Sequence, residues 1–142
     1  MDIPDGAFRY GTHSYYIFDR MGLASWEEAR DFCEALGGYL AVIGTSEENE
    51  MMFRFMKSSG VNEVFIGYSD SGNEGTWKWV SQEASDFVNW YPGKPDQKEQ
   101  GNYCMIPVKN ADGTANENKS WQDAQFIIGQ NDAFICEWST VE

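Results

Sequence analysis

With 142 residues, 42% of them apolar, the chain is long enough for one domain with its own core and too short for two comfortable ones. A formal charge of −13 repels phosphate backbones and anionic headgroups, which argues against nucleic-acid and membrane-surface roles and leaves cationic partners, calcium included, open. Six Trp, seven Tyr, nine Phe and fourteen Gly favour an aromatic, loop-rich fold over a plain helical bundle, and no apolar run approaches the ~20 residues that span a membrane.

Residues 1–9 read as a polar surface leader ahead of a domain covering 10–142. Met1-Asp2-Ile3-Pro4-Asp5 has no basic start followed by an apolar stretch, so a secretory signal, where one exists, lies outside these residues. Thr12 to Phe18 is aromatic and β-branched and predicts the first strand. Ser25-Trp26-Glu27-Glu28 has capping-box spacing, and Trp26, Ala29, Cys33 and Leu36 recur at helical intervals until Gly37-Gly38. After the short extended link Tyr39 to Ile43, Thr45-Ser46-Glu47-Glu48 opens a second helix whose Met52, Phe55 and Met56 fill core until Gly60. Val64-Phe65-Ile66-Gly67 reads as a buried strand, and Trp77-Lys78-Trp79-Val80 alternates. From there to about Asn102 regular structure is scarce, and a tryptophan-bearing loop of that length is expected to be functional. Strands are expected again at Tyr103 to Val108 and Ala133 to Trp138, on either side of a Gly- and Asn-rich turn and Trp121-Gln122-Asp123.

Three cysteines allow at most one internal disulfide. Cys33 in the first helix and Cys136 in the last strand are the natural pair, because that link ties the two ends of the domain together. The alternative is three reduced, buried thiols in a cytosolic protein.

The order Trp26-Ala29-Cys33, Gly37-Gly38-Tyr39-Leu40-Ala41, Ile66-Gly67, Glu74-Gly75-Thr76-Trp77-Lys78-Trp79, Asn89-Trp90, Pro92-Gly93-Lys94-Pro95-Asp96, Trp121-Gln122-Asp123 and Phe134-Ile135-Cys136-Glu137-Trp138 resembles the C-type lectin-like domain over nearly the whole chain. The resemblance implies an α+β fold with two helices flanking two small antiparallel β-sheets, and a long ligand-binding loop. Members commonly carry a second disulfide. Here Phe126 stands where the partner of Cys104 belongs, which leaves Cys104 unpaired and is compatible with a microbial member.

The resemblance also implies a calcium and sugar site on either side of a cis proline, before a cysteine and after a tryptophan. Those positions are Lys94, Asp96, Asn102, Gln122 and Asp123, with Trp90 and Tyr91 beside them as ligand-binding aromatics and Glu99 as a second choice for the acidic position given to Asn102. Lys94 against Asp96 and Asp123 leaves a formal charge of −1 where the resemblance implies three acids. An ammonium ~4 Å from a divalent ion costs on the order of 8 kcal/mol at an effective dielectric near 20, so Lys94 is expected to replace the ion, bridged to Asp96 and Asp123. An auxiliary calcium position falls on Asp70 and Glu74, with Gln97 where an acid is expected, and another falls on the Val42 carbonyl, Glu48 and Glu137. The stretch from Lys109 to Ser120 is longer than usual and brings Asp112, Asn116, Glu117 and Asn118 towards Trp121. His13 is the sole histidine and no serine or cysteine sits in a nucleophile motif, so an enzyme is not expected. The expectation is an extracellular recognition module for a glycan or protein ligand, its calcium site degraded, with a calcium-dependent lectin as the alternative.

Overall fold

The computed structural model describes residues 3–72, 75–81, 85–95, 102–110, 112–130 and 132–139. Both helices begin where the sequence supplies a cap. Ser25 precedes α1 (Trp26–Ala35) and accepts from Glu28 N–H at 3.1 Å, while the Glu28 carboxylate reaches back to Ala24 N–H at 3.0 Å. Thr45 does the same for α2 (Ser46–Ser59), accepting from Glu48 N–H at 3.1 Å while Glu48 accepts from Gly44 N–H at 3.0 Å. At the end of α1, Gly37 N–H meets Glu34 O and Gly38 N–H meets Cys33 O, with Gly37 left-handed at φ 86°.

The strands are β1 (Phe8–Tyr10), β2 (His13–Phe18), β3 (Tyr39–Leu40), β4 (Glu63–Ser69), β5 (Lys78–Trp79), β6 (Tyr103–Pro107), β7 (Gln122–Ala124) and β8 (Phe134–Ser139). They follow the path β1-β2-β8-β4-β6-β7, with β3 paired to β8 and β5 to β4. Every pairing is antiparallel except β4 with β8, which meet in parallel at Phe65 and Phe134. That contact joins the two sheets expected from the sequence into one path, since Phe65 N–H donates to Ala133 O at 2.9 Å. Phe8 and Arg9, assigned to the leader, pair with Tyr15 and Ser14 in β1, so the sheet begins inside it.

Period-two alternation divides the core. On β8, Phe134, Cys136 and Trp138 pack with Trp26, Ala29 and Cys33 of α1, whereas Ile135 packs with Met52 and Met56 of α2. Val64 and Ile66 of β4 face the α2 cluster and Phe65 the α1 cluster, which is why the run reads as continuously apolar. Cys33 and Cys136 are bonded across the α1 layer with Cα atoms 5.7 Å apart, and Cys104 is a buried thiol. Phe126, expected at the position of a partner for Cys104, lies in the other cluster, its ring 5.2 Å from Phe65.

Gly67 lies where three chain segments converge. A Cβ there would stand 2.6 Å from Leu40 O and 2.7 Å from a Val80 methyl, so Gly67→Ala is expected to lose at least about 2 kcal/mol in a urea titration. A midpoint shift within error of wild type would refute that crowding. Replacing Cys33 and Cys136 together by Ala should cost about 4 kcal/mol, because their link closes a separation of 103 residues in the unfolded chain.

Candidate ligand site

The long loop is held by aromatic packing. Tyr68 stacks on Trp79 at 4.3 Å, Trp77 meets Trp90 edge-on at 4.8 Å, and Trp121 lies edge-to-face with Trp79 at 5.8 Å and Trp90 at 6.0 Å. Trp121 is fully buried and donates its indole N–H to Asn49 Oδ1 at 2.7 Å. The backbone locks alongside, with Trp121 N–H on Asn89 O at 2.8 Å and Tyr91 N–H on Trp121 O at 2.9 Å. Trp90, expected among the ligand-binding aromatics, is therefore half-buried in the cluster that anchors the loop.

The following residues turn sharply. Lys94 N–H donates to Tyr91 O at 2.8 Å, Gly93 takes φ 89° at the third position of a type II turn, and Lys94–Pro95 is cis. Gln122 and Asp123 emerge on β7 beside this turn, Gln122 mostly buried and Asp123 half-exposed opposite Cys104. Asn102 stands just before β6, and its carbonyl accepts from Ser69 Oγ at 2.7 Å and Asp70 N–H at 3.2 Å. The backbone thus sets Tyr91, and through it Lys94, next to Trp121 at the start of the strand that carries Gln122 and Asp123. Asp96, Glu99, Glu74 and Gln97 lie outside the described residues. Asp70 is 1% exposed and uses one oxygen on Gly75 N–H at 2.9 Å, closing the turn after β4.

A second group lies at the start of α2. Glu137 is 1% exposed; its Oε1 accepts from Val42 N–H at 3.0 Å, and its Oε2 takes Tyr39 O–H at 3.0 Å and stands 2.6 Å from His13 Nδ1. Val42, expected to offer its carbonyl, thus turns its N–H to this centre. Glu48 is occupied as well, because its Oε1 caps α2 through Gly44 N–H and Thr45 Oγ1. Val42, Glu48, Glu137, His13 and Asp86 line a cleft of about 520 Å3. The pairing of His13 with Glu137 depends on β2 lying beside β8, which no local sequence signal announces. Burial pushes the Glu137 carboxyl up to about 7, with Glu48 adding to the rise, against the pull of Val42 N–H, His13 and Tyr39. Burial beside Glu137 and Glu48 likewise raises the Tyr15 phenol. Among the described residues no three His, Cys, Asp or Glu side chains converge as a metal site.

In the stretch 109–120, Lys109 pairs with Ala115, and Asn116 turns inward as a buried clamp. Glu117 and Asn118 stay exposed and Asp112 accepts from Thr114, so of the residues expected near Trp121 only some face outward.

A helix on each face of one sheet, with an aromatic-anchored loop ending in a cis proline turn, is the architecture of a lectin-type recognition domain. The profile described as "Lectin C-type domain" matches residues 23–137, and the chain belongs to that family, one of non-enzymatic carbohydrate-binding proteins. The Perlucin-like protein of Mytilus galloprovincialis is 32% identical over 99 residues, which is 68% of this chain and 62% of its own length. Human C-type lectin domain family 10 member A is 38% identical over 85 residues, 58% of this chain and 25% of its own length. The chain therefore spans less than two thirds of either relative. The C-type carbohydrate-recognition domain of cow CD23, crystallised in the presence of a GlcNAc2Man3 oligosaccharide, superposes with a TM-score of 0.76 at 26% identity, covering 99% of this chain and 98% of that one.

Glu137 gives the domain a pH dependence. Its usual value is 4.5 and its folded value about 7, so the stability it contributes is complete below 4.5 and is lost as pH rises through 7. Melts from pH 4.5 to 8 should show a loss on the order of 3 kcal/mol, flattened in Glu137→Gln. Stability that rises across that range in the wild type would contradict the assignment.

Proposed function

We propose that this chain is an extracellular recognition domain that binds a glycan through its long-loop face without calcium. Lys94 carries the reading. It occupies the turn at the cis proline with a positive charge, beside the β7 that bears Gln122 and Asp123, where a calcium cage asks for oxygen donors. Gln122 and Asn102 are neutral, so the donor set Lys94, Asp96, Asn102, Gln122 and Asp123 carries a formal charge of only −1. Asp96 and Asp123 are the carboxylates we assign to Lys94. The other two calcium positions fare no better: Glu48 and Glu137 spend oxygens on backbone N–H groups and on His13, and Asp70 on Gly75 N–H.

The Cys33–Cys136 disulfide supports an oxidising, extracellular setting. No helix among the described residues is long and apolar enough to cross a membrane. Membership of a lectin family supports a recognition role and is the ground on which we choose a glycan. A calcium-dependent lectin with a remodelled site is the second reading, favoured by the cis Lys94–Pro95 turn, which keeps the backbone shape such a cage uses.

The deciding measurement is a glycan array run in calcium and again in chelator. Sugar signal present in both is expected; signal that vanishes in chelator selects the second reading. Calcium should leave the melting temperature of the wild type unchanged, whereas Lys94→Glu combined with Asn102→Glu should gain a calcium-dependent rise of several degrees.

A further inference from the structure

The hairpin before β7 builds a wall in which engaged and unengaged polar groups separate. Asn116 spends its whole amide inward: Nδ2 donates to Pro107 O at 2.8 Å and Ser120 O at 2.9 Å, and Oδ1 accepts from Ser120 N–H at 2.9 Å. Asn89 of the long loop fixes the same wall, donating to Asn118 O at 3.0 Å and Lys119 O at 2.8 Å. Asp112 secures the tip by accepting from Thr114 N–H at 3.0 Å and Thr114 O–H at 2.6 Å. Such a wall is set before any ligand arrives, so little ordering remains to oppose binding.

Between this wall and the Tyr91–Lys94 turn runs a cleft of about 460 Å3, lined among others by Tyr91, Pro92, Asn110, Glu117 and Asn118, and within the size range of small-ligand sites. The Glu117 carboxylate, the Asn118 side-chain amide and the Tyr91 hydroxyl make no hydrogen bond among the described residues. Asn110 turns its Nδ2 to Thr114 Oγ1 and Ala115 O, and its Oδ1 is left buried without a partner. The cleft therefore offers an acceptor-only group, an amide that both donates and accepts, and a phenol, next to the apolar faces of a proline and a tyrosine ring.

That combination matches a ring bearing adjacent hydroxyls and a C–H face. One hydroxyl donates to Glu117, its neighbour accepts from Asn118 Nδ2, and the C–H face lies on Tyr91 and Pro92. Glu117 is the one charged side chain among the described residues lining the cleft, and its carboxylate disfavours a sialylated or sulfated ring placed against it. A basic peptide would meet the same charge, but an amide- and hydroxyl-lined cleft gives it no deep apolar pocket for an anchor side chain. We infer that this cleft is a metal-independent subsite for a neutral saccharide, read by Tyr91, Glu117 and Asn118. It rests on the glycan reading above and gives that reading a location on the hairpin side of the Tyr91–Lys94 turn.

The test is an amide-resolved NMR titration of the full chain, in chelator, with the methyl glycosides of glucose, galactose, mannose and N-acetylglucosamine. Shifts should concentrate at residues 91, 110 and 112–118 for at least one sugar. Glu117→Gln and Asn118→Ala should each weaken that binding about tenfold with an unchanged melting temperature, both side chains being exposed. Sugar-induced shifts confined to Lys94, Asn102 and Asp123 would remove the subsite and leave the glycan reading standing. Absence of shifts from any sugar, in calcium as in chelator, would remove both. Equal or tighter binding of a sialylated glycan, or cleft shifts produced by a basic peptide and by no sugar, would overturn the neutral-saccharide assignment.

Discussion

Burying the Trp121 indole imposes a requirement that three parts of the chain meet together. A buried indole N–H needs an acceptor, and Asn49 of α2 supplies it, so α2 is tied to the strand that follows the hairpin. Asn49 then donates its own amide to Lys119 O at 3.0 Å, the same carbonyl that Asn89 reaches from the long loop. The ring faces of Trp121 gather Trp79, Trp90 and Phe87 around it. One residue therefore sets the distance between helix, loop and hairpin, and the surface those segments present inherits its shape from this hidden contact. Trp121→Phe would keep much of the apolar burial yet leave Asn49 without its donor, an asymmetry that hydrogen-bond energetics make costly.

A division of labour among polar groups follows. Near α2, carboxylates are consumed by structure: Glu48 caps its helix and Glu137 satisfies Val42, Tyr39 and His13. Around the hairpin, side chains of similar chemistry are left outward, since Asn116 and Asn89 have already satisfied the backbone there. Ligand chemistry is carried where the fold has finished with its own hydrogen bonds, which agrees with the usual placement of recognition on loops over a rigid base.

Elements whose cause is local were legible in the sequence. Both capping boxes, the glycine stops, the methionine stripe and the strand at Val64 to Gly67 lie where propensity and period put them. β1 and β7 were not, because Phe8 and Arg9 lie in a polar leader and Gln122-Asp123-Ala124 is too short and polar to read as a strand; each exists through its neighbour. The same limit applied to the site. Pro95 and the glycine turn were readable as geometry, but whether Trp90 faced ligand or core depended on rings contributed by Trp77 and Trp121. The fate of Glu137 hung on His13, distant in sequence and adjacent only through β2 and β8.

Cys104 has a consequence for how the chain acquires its disulfide. In an unfolded, oxidising setting the three thiols compete, and loop entropy favours linking Cys104 to Cys136 over the longer native closure. Burial reverses that preference: Cys104 is enclosed, and desolvation together with Asp123 raises its thiol well above the usual range, which deprives it of the thiolate needed for exchange. Cys104 is fully enclosed in the cluster on the α2 side of the sheet, so the sulfur is shielded by packing as well as by protonation. Correct pairing is thus a product of the folded core. A chain that oxidised before its aromatic layers closed would form the shorter link first and reach the native one by exchange through its remaining thiol.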